Sequence, residues 1–212
     1  MTKKNPNTII LIDGVVGAGK TTIATLVAQK TNLQLYEELS NNDTFELLNR
    51  FYKDQERWSF TLQIHFLNER FRMIKQIHKN GSGILDRSIF GDKIFASMLN
   101  EDGQMSDEEY RTYYTLLDNM LEHSQAPDIL IYLQCSTDVA IERINKRNRG
   151  DESGVPRAYW DRLNEKYETW YKDYVKSPKI ILNVDNLDIQ DEDERNKFLK
   201  QIENKLKEIK YI

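Results

Sequence analysis

The sequence predicts an α/β fold with a parallel sheet covered on both faces, and three observations carry that prediction. Five short, mostly apolar runs are spaced along the chain: "TIILID" (8–13), "LQLYE" (33–37), "GILDR" (83–87), "DILIYLQ" (128–134) and "KIILNVD" (179–185). They have the length and continuous apolar character of buried parallel strands. Between them lie longer segments with helical periodicity, among them Phe60, Ile64, Leu67, Phe71 and Ile74 and the stretch from Glu108 to His123. The chain also shows no repeat, no low-complexity stretch and no Pro/Gly-rich linker. Strand-then-helix alternation over 212 residues, 39% of them hydrophobic, predicts one domain spanning 1–212.

Composition narrows the function classes. No apolar run approaches the roughly 18 residues that a membrane span needs, and "MTKKNPN" lacks the apolar segment of a secretory signal. Cys135 is the single cysteine, which removes internal disulfides and thiolate zinc sites. It reads as a small buried residue at a strand end. A cytoplasmic location without membrane contact is expected. A formal net charge of −4 argues against a nucleic-acid polymer as partner.

Ligands of such sheets sit beyond the carboxyl ends of the strands, so the candidate site residues are those that follow each strand. The first strand runs into "GVVGAGKTT" (14–22), which matches G-x-x-x-x-G-K-[ST] from Gly14 to Thr21. The backbone N–H groups of Gly14, Gly17, Ala18, Gly19, Lys20, Thr21 and Thr22 can then cradle a polyphosphate at a helix N-terminus. Lys20 adds a point charge, and the Thr21 hydroxyl is suited to Mg²⁺. A triphosphate donor follows. After the fourth strand, "IERINKRNRGDESGVP" (141–156) places Arg143, Lys146, Arg147 and Arg149 close together in an otherwise acidic chain. A helix N-capped by Ser136 or Thr137 puts Arg143 and Arg147 on one face. With Gly150 and Gly154 beyond it, the segment from about 143 to 155 reads as a cationic lid over the donor phosphates.

The acceptor side is read from what is present and what is missing. A switch GTPase would show D-x-x-G before N-K-x-D, whereas "DESG" (151–154) follows "NKRN" (145–148) and the final aspartate is absent. A kinase acting on a hydroxyl needs instead a carboxylate to take the proton, and "YEE" supplies Glu37 and Glu38 at the end of the second strand. Alternation would send them to opposite sides. The third strand ends in "DRS", bringing Asp86 to the metal side and Arg87 to the phosphate side. On the helix "ERWSFTLQIHFLNERFRM" (56–73), Gln63 and Arg70 are seven residues apart and share a face, which is either solvated surface or, with Phe66, the frame for a flat heterocycle.

Together these segments resemble the deoxyribonucleoside kinase family, in particular its deoxycytidine, deoxyguanosine and deoxyadenosine kinase group. "YKDQERWSFTLQ" (52–63), "DRSIFGDKIFAS" (86–97), "YLQCSTDVAIERINKRNRGDESGVP" (132–156) and the phosphate loop stand in the family's order. The resemblance implies a P-loop kinase fold with a five-stranded parallel sheet and an arginine-rich lid, a homodimer, and transfer of the γ-phosphate of ATP to a 5′-hydroxyl. It assigns base reading to Gln63, Arg70 and Asp92, and the sugar 3′-hydroxyl to Tyr52 and Glu152. Arg87 falls near the 5′-oxygen, and Arg143, Arg147 and Arg149 are the lid arginines. The family's Glu-Pro after the second strand is "EEL" here; counting from the phosphate loop selects Glu38 as general base, and counting back from "NNDTF" selects Glu37. Arg70 with Asp92 disfavours thymidine and leaves deoxyadenosine, deoxyguanosine and deoxycytidine open. A thymidylate-kinase type enzyme and a non-catalytic nucleotide-binding module are the alternatives.

Overall fold

The computed structural model describes residues 8–37, 42–147 and 154–209. Five parallel strands form one sheet: β1 (Ile9–Gly14), β2 (Leu35–Tyr36), β3 (Gly83–Asp86), β4 (Ile129–Gln134) and β5 (Lys179–Asn183), in the spatial order β2-β3-β1-β4-β5. Around them run α1 (Lys20–Thr31), α2 (Asn42–Lys53), α3 (Gln55–Asn80), α4 (Lys93–Glu101), α5 (Asp107–Glu122), α6 (Thr137–Arg147), α7 (Arg157–Asp173) and α8 (Glu192–Ile209). The central strands are apolar because both faces are covered: Ile10, Leu11 and Ile12 of β1 and Ile129 to Leu133 of β4 are all essentially unexposed. Each such side chain contributes about 1.5–3 kcal/mol on burial. Ile12 pairs with Asp86 and Gly14 with Leu133, so the carboxyl ends of β1, β3 and β4 form one edge.

Local sequence sets the helix ends. Asp54 caps α3 by accepting the Arg57 N–H at 3.1 Å, and Gly81, at φ 78°, closes it by donating to Ile77 O at 2.8 Å. Ser106 and Glu109 form a reciprocal capping box at the start of α5. Ser136 precedes α6, its Oγ 3.4 Å from the Val139 N–H. Cys135 is 1% exposed just beyond β4, and burial pushes its thiol up to about 11, in line with a small buried residue. No helix among the described residues is long and apolar enough to cross a membrane.

Two expectations change. The run "LQLYE" contributes only Leu35 and Tyr36 to the sheet, because β2 is an edge strand that pairs with β3 alone. Glu37 lies past the strand, so the alternation rule does not govern it. On α3 the deepest stripe is Leu62, Gln63, Leu67, Arg70, Met73, Ile74 and Ile77, while Phe60, Ile64 and Phe71 are only half-buried. The polar pair therefore belongs to the buried face.

Candidate active site

A cleft of about 1290 Å³ opens along the carboxyl edge of the sheet. Its floor is the loop between β1 and α1. Gly17 and Gly19 adopt φ of 87° and 84°, conformations that a side chain disfavours. Gly17 is constrained twice, since a Cβ there would stand 2.5 Å from the carbonyl oxygen of Ala140 in α6. The helix that carries Arg143 and Arg147 is thus docked directly on the loop. Lys20 is buried, and its Nζ donates to the carbonyls of Gly14 and Val15, each at 2.9 Å.

The end of β3 completes the floor. The Thr21 hydroxyl donates to Asp86 Oδ2 at 2.5 Å, bringing together the two groups read from sequence as metal-side oxygens. A hydroxyl and a carboxylate are hard oxygen donors of the kind Mg²⁺ takes alongside substrate phosphates. No cluster of three or more His, Cys, Asp or Glu suited to a metal occurs among the described residues. Arg87 follows with φ 80°, a left-handed conformation that costs a non-glycine residue roughly 1–2 kcal/mol, and its guanidinium lies 4.9 Å from the centre of the Phe95 ring. Beneath the turn, unexposed Asp13 accepts the Gly14 N–H at 2.8 Å and the Ser88 N–H at 3.0 Å. Burial raises its pKa, opposed by the Arg87 and Lys20 cations and by the two N–H bonds.

At the other end of the cleft, Gln63 is 7% and Arg70 3% exposed, against the usual surface position of such residues on helices. Arg70 Nε meets Asp92 Oδ1 at 3.0 Å, and its guanidinium lies 5.5 Å from the centre of the Phe66 ring. Asp92 does not itself line the cleft; Gln63, Phe66 and Arg70 do, and so do Tyr52 and Glu37. Fully buried Tyr113 is near the ion pair, its phenol raised first by burial and then by the Asp92 charge. Because removing one member leaves the other charged and buried, Asp92→Ala is expected to destabilise the fold by about 3–5 kcal/mol. Urea unfolding measures it; a loss under about 1 kcal/mol would mean that the pair is not a buried charge pair in solution.

Arg143, Lys146 and Arg147 line the cleft on its α6 side, and Arg143 Nη2 donates to Val184 O at 2.7 Å. Glu38, Arg149 and Glu152 lie outside the described residues. Several cleft residues had no signal in the sequence reading. Val184, read as part of the fifth strand, lies just past β5, and with Leu187, Ile189 and Gln190, whose scattered pattern resembles any loop, it lines the cleft beyond Arg143. Leu99, Tyr159 and Trp160 carry no chemical signal in the sequence, and Asp13 stands there only as the last residue of the first apolar run.

One cleft thus holds the phosphate loop, the cationic Arg143, Lys146 and Arg147, and, at its other end, Gln63, Phe66 and the Asp92-paired Arg70. The sequence model of the family described as deoxynucleoside kinase matches residues 10–207. The chain belongs to the deoxynucleoside kinase family. A deoxyadenosine kinase of Lactobacillus acidophilus is 37% identical, over 95% of this chain and 97% of that protein. A deoxyadenosine/deoxycytidine kinase of Bacillus subtilis is also 37% identical, over 92% of each. Among solved structures, a deoxyadenosine kinase from M. mycoides with the products dCMP and a flexible dCDP bound superimposes with a TM-score of 0.81 at 32% identity. That match covers 95% of this chain and all of the other. The reaction of this deoxynucleoside kinase is accordingly ATP-dependent phosphoryl transfer to a deoxynucleoside.

Proposed function

We propose that this kinase phosphorylates the 5′-hydroxyl of deoxyadenosine, deoxyguanosine or deoxycytidine in preference to thymidine, acting as a single kinase unit that joins a homodimer in the cytoplasm as part of nucleotide salvage. The buried Arg70–Asp92 pair beside Gln63 carries the reading. Adenine, cytosine and guanine each carry an exocyclic amine that the Gln63 amide oxygen can accept, beside an Arg70 held in place by Asp92, whereas thymine has a carbonyl and a methyl group there. A site built to bond an N–H rejects an analogue lacking it, since its buried polar atoms are left unpaired.

The remaining roles follow the cleft. The donor triphosphate lies on Gly14 to Thr22 with Lys20 on its phosphates, and its base rests toward Val184, Leu187 and Ile189, away from the acceptor. Thr21 and Asp86 hold Mg²⁺, which when bound neutralises phosphate charge. Arg87 and the lid arginines Arg143, Arg147 and Arg149 stabilise the charge that builds on the transferring group. Glu38, with Glu37 as alternative, takes the 5′-hydroxyl proton, and Tyr52 with Glu152 hold the 3′-hydroxyl. The buried thiol of Cys135, the single cysteine of the chain, agrees with a reducing compartment.

The test offers ATP with each deoxynucleoside, its 2′,3′-dideoxy analogue and each monophosphate. One or more of the three amino-bearing deoxynucleosides should exceed thymidine in kcat/KM by about 10²-fold or more, and the dideoxy analogues should be poor substrates. Preferential turnover of monophosphates would make the enzyme a nucleotide kinase, and thymidine as best substrate would remove the role given to Arg70 and Asp92.

A further inference from the structure

Asp13 has no part in the roles above, yet it is the last β1 side chain before the phosphate loop and has no exposed surface. A packing role alone would favour an apolar residue, because a buried carboxylate loses its hydration. Its oxygens are divided between its neighbour Gly14 and Ser88, which lies 75 positions further along the chain than Asp13. Oδ1 takes the Gly14 N–H, where the phosphate loop begins, and Oδ2 takes the Ser88 N–H, immediately after Arg87. Arg87 N–H is in turn bound to Ile12 O at 2.8 Å, so the left-handed residue is pinned on both sides to the end of β1. Trp170 closes the site from α7, with its indole N–H donating to Phe90 O at 3.0 Å.

We infer that Asp13 is a positioning residue for phosphoryl transfer: by binding Gly14 N–H with one oxygen and Ser88 N–H with the other, it fixes Arg87 relative to the phosphate loop, so that Arg87 and Lys20 address one phosphoryl group. The inference rests on the kinase roles given to Lys20 and Arg87. A carboxylate is the group that suits the task, since it accepts on both oxygens and its charge lies in the field of both cations. An amide of the same size accepts on one side only and opposes an N–H with an NH₂ on the other.

Asp13→Asn tests it. In protein that retains the wild-type circular dichroism spectrum, kcat should fall by about 10- to 10²-fold, the loss expected when a catalytic group is displaced by a fraction of an ångström to an ångström. The KM for the nucleoside should stay within about threefold, because Gln63 and Arg70 are held by α3. Introduced into an Arg87→Ala background, the same change should cost less than about threefold more, since its effect runs through Arg87. Wild-type kcat in folded Asp13→Asn, or an equal loss in both backgrounds, would overturn the inference. Should Asp13→Asn not fold, Gly91→Ala decides: its Cβ would press on Asp13 Oδ2 from 3.2 Å while leaving the charge in place. A lowered kcat with unchanged nucleoside KM supports the role, and a wild-type kcat overturns it. Failure of the kinase reading shows separately, as a wild type inert to every nucleoside.

Discussion

Lys20→Ala is expected to lower turnover by at least about 10²- to 10³-fold, the cost of removing one preorganised charge stabiliser from a phosphoryl-transfer site. A lysine that serves only a ligand would be expected to contribute little to the fold. Its position alters that expectation: Nζ is held by the Gly14 and Val15 carbonyls and the residue is 9% exposed. The ammonium thus keeps the loop's carbonyl oxygens satisfied. Its removal should therefore also cost stability, on the order of 1–3 kcal/mol for charge-assisted bonds. Lys20→Arg separates the two effects, because a guanidinium can satisfy carbonyls but is larger and fork-shaped where a compact charge is needed. Recovery of stability without recovery of kcat would support the dual role. Full turnover in folded Lys20→Ala would refute the phosphate-cradle reading altogether.

How far the sequence carried can be judged residue by residue. The sheet was legible because its strands are buried on both faces and therefore stand out as apolar runs, and the phosphate loop because its spacing is dictated by the shape of a polyphosphate. The edge strand β2 was overestimated, since "LQLYE" has strand composition while only two of its residues find a partner. The buried state of Arg70 was not legible, since likeness to a family gives it a role but helical spacing cannot distinguish an arginine paired with Asp92 in the core from one in water. Asp13 was illegible for a different reason. Its function lies in two backbone N–H groups, one of them 75 positions away, and backbone donors leave no trace in side-chain patterns.

Glu38→Gln is expected to lower kcat by about 10²- to 10⁴-fold, the usual contribution of a positioned general base, and Glu37→Gln by less than about tenfold. The ranking comes from position along the chain, since counting from the phosphate loop puts Glu38 where the family has its carboxylate. The fold keeps the second candidate in contention. β2 ends at Tyr36, so nothing in the sheet turns Glu37 away, and its side chain lines the cleft together with Tyr52 and Lys20. Substitution by glutamine preserves size and one acceptor oxygen while removing the capacity to take a proton, so a loss confined to kcat marks the base, and a rise in nucleoside KM marks a group that only binds. The pH–rate profile adds an independent readout. A carboxylate base must be ionised, so the wild-type rate should fall as pH drops through its pKa, and that acid limb should vanish in the variant lacking the base. If Glu37→Gln loses the limb and the rate while Glu38→Gln keeps both, the base is Glu37; if both variants keep them, neither carboxylate takes the proton.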